Sequence, residues 1–291
     1  MGLRDWATIF LLGLLFGGSF FFTEIANAEA GPLTIAASRL VVGGVALVAV
    51  LVALNKAKGP WLAFWPIFGM GLFNSFLPIT LIAWAQQSLP SGLTAILAAT
   101  SPIIGAVFAH FALAGERLTL WRLVGTGLAF MGVVLILDPA NALDLELGAA
   151  PIAVLAAATS SAAAGVFGRR IMSAGTSPLL VATGQVLVAA CLATSLALAI
   201  EQPWTRPFPG TSALAALLAM GLMSTALAYF LFFRLLSRVG AAKTLLVGFL
   251  VPISATLLGI ALLGERLDPH EVAGLIVVLL SLFVVNKGRT A

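Results

Sequence analysis

Charge is scarce in this sequence. Only 9% of its 291 residues are Asp, Glu, Lys or Arg, where about a quarter is usual for a water-soluble chain. Between Lys58 and Glu116 there is no charged residue at all, a stretch long enough for two bilayer crossings at about 20 residues each. The single cysteine, Cys191, excludes a disulfide framework and a cysteine metal site. Two isolated histidines, His110 and His270, are too few for a metal centre. No basic cluster exceeds Arg169-Arg170, so the net charge of +4 does not point to nucleic acid. Gly240-Ala241-Ala242-Lys243-Thr244 lacks the glycines of a phosphate loop. Intramembrane carboxylate pairs and a nucleophile with its base are also missing, which argues against a membrane enzyme and against any cofactor.

What is present is apolar: 61% of the residues are hydrophobic. Uncharged runs between Gly, Pro and polar breaks predict ten helices, over 6–25, 32–54, 61–85, 91–113, 119–137, 148–169, 178–200, 211–233, 241–263 and 269–286. The first run has no convincing cleavage site and reads as a retained helix. Ten spans put both termini on one side. If that side is the cytoplasm, only Arg206 and Arg266 lie outside and Arg39 lies within a span, while every other Lys and Arg is inside. That bias orients the chain with cytoplasmic termini, as a multi-pass protein of the plasma (inner) membrane.

The chain also repeats itself. Met70-Gly71-Leu72 returns at a constant offset as Met220-Gly221-Leu222, Thr94 as Thr244, and Pro102-Ile103 as Pro252-Ile253. After a one-residue slip, Gly115-Glu116-Arg117-Leu118 returns as Gly264-Glu265-Arg266-Leu267. Each copy has five spans, an odd number, so the second enters the membrane upside down. The expected fold is therefore an all-α integral membrane protein of ten transmembrane helices in two inverted five-helix repeats, over 1–140 and 141–291. Inverted repeats of this kind are a transporter architecture, with the binding site near the midplane where the halves meet.

Gly17-Gly18-Ser19-Phe20, Arg39 after Pro32, Arg169-Arg170, Ala226-Leu227-Ala228-Tyr229 and the two Pro…Gly-Glu-Arg-Leu stretches together resemble the drug/metabolite transporter superfamily, in its ten-helix branch of two EamA-type repeats. The pattern covers almost the whole chain. The resemblance implies export of small metabolites by alternating access, with bacterial aromatic amino acid exporters the nearest likeness. Alternatives are export of another amphipathic metabolite or drug, or a channel-like facilitator. Expected partners are a small-molecule substrate and membrane lipids, with the protein a monomer or a dimer. Two departures bear on the substrate. Small residues, Ser160 and Ser161 among them, occupy the stretch where the family often carries a Trp-Ala pair, and Lys243 stands where a small residue is common.

Several side chains could build the site. Arg39 lies about 12 Å along its helix at 1.5 Å per residue, and an intramembrane arginine must face protein or a water-filled cavity. Its structural role would be to tie helix ends through backbone carbonyls or Glu24. Lys243 either snorkels to the interface or attracts a carboxylate. Asn74-Ser75 aligns with Ser224-Thr225, and both pairs fall mid-span on the third helix of their half, which favours Asn74 and Ser224 as cavity residues over helix glue. Gln185 carries an amide that is hard to hide. Phe20 and Tyr229 are deep enough to wall an apolar cavity, although a lipid-facing Phe is equally stable. Trp84 belongs to the interfacial belt or to the outer mouth. Ser19 and Pro78 complete the set, Pro78 as a bend in its helix. No carboxylate is predicted at the bilayer centre, which favours facilitated efflux over proton coupling.

Overall fold

A chain in lipid must satisfy every backbone N–H and C=O internally, so its apolar runs close into helices. The computed structural model describes residues 2–54, 64–112, 120–136, 145–173, 177–240, 244 and 246–287, and among them no strand occurs. The ten helices are α1 (Leu3–Asn27), α2 (Pro32–Ala53), α3 (Phe64–Ala85), α4 in two segments (Ser91–Ala98 and Ser101–Ala112), α5 (Leu120–Ile136), α6 (Leu145–Ser173), α7 (Pro178–Glu201), α8 (Thr211–Ala219, Met220–Leu227 and Ala228–Val239 in unbroken succession), α9 (Val247–Leu263) and α10 (Pro269–Lys287). Six are individually long and apolar enough to cross a bilayer, and the four shorter ones, α4, α5, α9 and α10, are the last two of each half. Large apolar side chains such as Phe10, Phe130, Leu257 and Phe283 stand exposed on the outside of the bundle, a surface suited to lipid rather than water.

Neighbour relations reproduce the repeat. Helices α2 and α7 pair with each other, as do α5 and α10, each with its own counterpart. The α1–α9 pair corresponds to α6–α4, and α1–α8 to α6–α3. This is the packing of two inverted five-helix halves about a pseudo-two-fold axis. Glycines let the backbones approach: a Cβ added to Gly132 would lie 3.1 Å from the Gly274 carbonyl oxygen across the α5–α10 contact.

The expected single helix over 91–113 is broken. Pro102 has no N–H to continue the ladder, and the chain turns at Ala99-Thr100, where the Thr100 hydroxyl donates to the Leu97 carbonyl at 2.7 Å. Its repeat counterpart Pro252 leaves α9 unbroken from Val247 to Leu258. The repeat-related prolines thus sit at different points of their segments, Pro102 in the first turn of Ser101–Ala112 and Pro252 in the middle of Val247–Leu258. Third helices, by contrast, agree: α3 widens into a π-helical turn at Gly71–Phe76 and α8 at Met220–Leu227. Such insertions disturb the regular hydrogen-bond ladder and recur at functional sites.

At the end of the bundle away from the termini, three carboxylates reach from one half to a helix start in the other. Glu201 accepts from the backbone N–H of Leu33 and Thr34, both at 2.8 Å, and from the Thr34 hydroxyl at 2.6 Å. Glu265 accepts from the N–H of Ser91 at 2.7 Å and of Gly92 at 3.1 Å. Glu29 accepts from the N–H of Gly210, ahead of α8. Negative charge at the unpaired N–H groups of a helix start is favourable, so each clasp joins the halves at this end. Near the termini, Arg238 of α8 pairs with Asp5 of α1 at 3.0 Å.

Candidate functional site

Two cavities meet in the middle of the bundle. One, of about 390 Å³, lies between α1, α2, α3, α4 and α9, with Ser19, Phe20, Arg39, Ser101 and Pro102 on its wall. The other, of about 370 Å³, lies nearer the terminal end between α3, α6, α7 and α8, with Asn74, Gln185, Tyr229 and Phe232 on its wall. Phe16 borders both, and its ring packs against Tyr229 with centroids 6.2 Å apart. Phe16 is thus the wall that the two cavities share.

Polar groups cross the same place. Arg39 Nε donates to Thr225 Oγ1 at 3.0 Å, and the Thr225 hydroxyl donates to the Met220 carbonyl at 3.1 Å, within the π-helical turn of α8. The contact spans the two halves, with Arg39 on α2 and Thr225 on α8. Tyr229 lies within electrostatic reach of Arg39 and beside Ser75, whose buried hydroxyl has no hydrogen-bond partner of ordinary geometry among the described residues. On the other side Asn74 Nδ2 donates to Gln185 Oε1 at 3.1 Å, tying α3 to α7. Ser160 donates to the Phe73 carbonyl at 2.7 Å, taking up an acceptor of the widened turn in α3. No Asp or Glu lines either cavity among the described residues, and no group of acidic, His and Cys side chains among them could hold a metal.

The sequence candidates divide accordingly. Ser19, Phe20 and Arg39 wall the first cavity, and Asn74 and Tyr229 the second. Ser224 is buried and lines neither, because the π-helical turn presents Thr225 to Arg39 and leaves Ser224 packed with its hydroxyl unpaired among the described residues. Pro78 is buried just after the π-helical turn of α3 and acts on that helix rather than on a cavity wall. Trp84 is exposed at the non-terminal end of α3, in a belt position. Ser161 is half-buried on α6. Lys243 and Gly115-Glu116-Arg117-Leu118 lie outside the described residues, as do the side chains of His110, Arg169 and Arg170. Arg39 turns to Thr225 rather than to Glu24, and Glu24 accepts instead from Gln86 Nε2 at 3.3 Å. Gln185 and Thr225 were visible as a buried amide and as half of a symmetric pair. Phe16 left no signal, since one apolar aromatic in an apolar helix resembles any other.

The arrangement can hold one small, largely apolar molecule with a few directed polar contacts, at the junction of two inverted repeats. Known proteins carry the same plan. The sequence profile of the EamA-like transporter family matches twice, over residues 6–138 and 149–287. The chain belongs to this family. Its relatives include an uncharacterized transporter of Archaeoglobus fulgidus, 24% identical over 99% of this chain and 100% of the relative. The uncharacterized inner membrane transporter YedA of Escherichia coli is 26% identical, over 97% of this chain and 90% of its own, and protein PecM of Dickeya dadantii is 27% identical over 98% and 93%. A crystal structure of a protein 20% identical superposes over 99% of both chains with a TM-score of 0.70 and shares the fold. This EamA-like protein is thus a multi-pass membrane transporter of small molecules, and its two family matches fall one on each five-helix half.

Proposed function

We propose that this EamA-like transporter exports small amphipathic metabolites, hydrophobic and aromatic amino acids first among them, by alternating access. The observation that carries this reading is the pair of cavities that share Phe16 as a wall, with Tyr229 packed against it on the terminal side. Exchange of conformations between inverted halves would open one cavity and close the other, and the repeat-related prolines fall at different points of their segments in α4 and α9. In this reading the halves 1–140 and 141–291 rock about the α2–α7 and α5–α10 contacts. The terminal-side cavity, which Asn74 and Gln185 line, faces the cytoplasm. The other is closed from outside by the three carboxylate clasps. Few fixed charges line the path, so a sugar phosphate would lose more hydration than it regained, whereas an amino acid needs only a few polar contacts and apolar walls.

A panel of radiolabelled amino acids, followed out of vesicles carrying the protein, tests the substrate. Saturable efflux of phenylalanine, leucine or methionine is the expected result, and transport of a phosphorylated or nucleotide-linked compound with no amino acid would overturn it. Orientation has its own check. Reporter fusions after Ala291 and within residues 140–147 should report opposite sides of the membrane, with Ala291 cytoplasmic, and the same side for both would break the ten-span topology.

A further inference from the structure

The transport reading leaves open which part of the substrate the site grips, and one group in the first cavity answers it. Arg39 is on the cavity wall, two turns into a helix that begins at Pro32. Its side chain makes one hydrogen bond among the described residues, from Nε to Thr225 Oγ1, and no described carboxylate pairs with it. A guanidinium has five N–H donors in a rigid fork. Thr225 engages one and fixes the plane of the group, and the other four have no described partner. An unneutralised guanidinium at this depth is unfavourable unless an anion or water meets it, and the fork matches a carboxylate in bidentate geometry.

The positive end of a zwitterion finds no such provision. The polar groups on the wall beside Arg39 are the hydroxyls of Ser19, Thr23 and Ser101. The nearby carboxylate, Glu24, is engaged by Gln86 and is not on that wall. The remaining surface is apolar, with Phe16, Phe20 and Ile82 representative. Resting on the transport reading above, we infer that Arg39 is the substrate anchor and that it grips a single carboxylate. The site therefore takes small apolar monocarboxylates, and an α-ammonium group is dispensable. Amino acids are then one subset of the substrates, admitted through their carboxylate. A dianion exceeds the single guanidinium, and an amine lacks the group it binds.

Three probes of one shape separate the possibilities: phenylalanine, 3-phenylpropionate and phenethylamine, added to the purified wild-type protein. Thermal stabilisation and competition with labelled substrate should be given by the first two at apparent affinities within about tenfold of one another, and not by the amine. Substituting Arg39→Gln should weaken binding of both carboxylates by about 10- to 100-fold, the range expected for a charge-assisted contact, and Arg39→Lys should recover part of it. Should Arg39→Gln fail to fold, the wild-type series decides alone. Amine binding equal to that of the carboxylates, or a requirement for the ammonium, overturns the inference while leaving a transporter in place. Absence of saturable transport or binding for every organic probe removes the transport reading itself, and the anchor with it.

Discussion

Gly17→Val will separate α1 from α9 and sharply reduce the yield of folded protein. A Cβ at Gly17 would lie 2.8 Å from the Val251 carbonyl oxygen, 2.9 Å from the Ala255 nitrogen and 2.7 Å from the Ser254 Cβ. Two of the three are backbone atoms, which cannot rotate away. Relief requires one helix to shift, and α1 cannot shift alone because its other face contacts α8. Overpacking of this kind costs about 1–3 kcal/mol in a soluble core, and here it acts on a junction between the halves. Gly69 is the control: a Cβ there meets nothing within 4 Å. Monodisperse protein recovered in detergent, and its melting temperature, should fall for Gly17→Val and stay unchanged for Gly69→Ala.

Glu201→Ala will shift the protein toward the conformation open at the non-terminal end. The carboxylate accepts three hydrogen bonds from the first turn of α2. An alternating-access cycle that opens this end must break them, so their removal destabilises only the closed state. Charge-assisted bonds that are half exposed support about 2 kcal/mol of difference, roughly a thirtyfold change in the ratio of the two conformations. Glu265→Ala should act in the same direction with α4, where two bonds are lost. The readout is a thiol at Ser19→Cys in a Cys191→Ser background, labelled by an impermeant reagent from the non-terminal side. Faster labelling in both clasp variants is expected, and unchanged labelling would mean that these carboxylates anchor helix ends without gating.

Much of the fold was legible because a bilayer leaves little choice: apolar runs of spanning length become helices, and an odd-numbered repeat becomes an inverted one. Where the reading missed, local chemistry decided. Pro102 and Pro252 are equivalent in sequence, yet Pro102 follows directly on a break in α4 while Pro252 lies inside the continuous segment Val247–Leu258, a difference that neither stretch of sequence marks by itself. Asn74 and Ser224 are equivalent too, but the π-helical turns rotate them differently: Asn74 reaches a cavity and Gln185, while Thr225 replaces Ser224 as the group that meets Arg39. An added residue per turn leaves no mark in an apolar sequence. The clasps escaped notice for another reason. Glu29, Glu201 and Glu265 each meet a helix start 167 to 181 residues away in the sequence, in the other half, and nothing local to them marks that partner.

The central claim, that one site is presented alternately to the two sides, is tested most directly by counterflow in proteoliposomes. Vesicles preloaded with unlabelled phenylalanine, or with 3-phenylpropionate, should take up the labelled compound transiently above equilibrium, with a rate that saturates and rises with the internal load. Uptake that rises linearly with concentration, ignores the internal load and accompanies a measurable conductance would show a continuous pore and contradict the account.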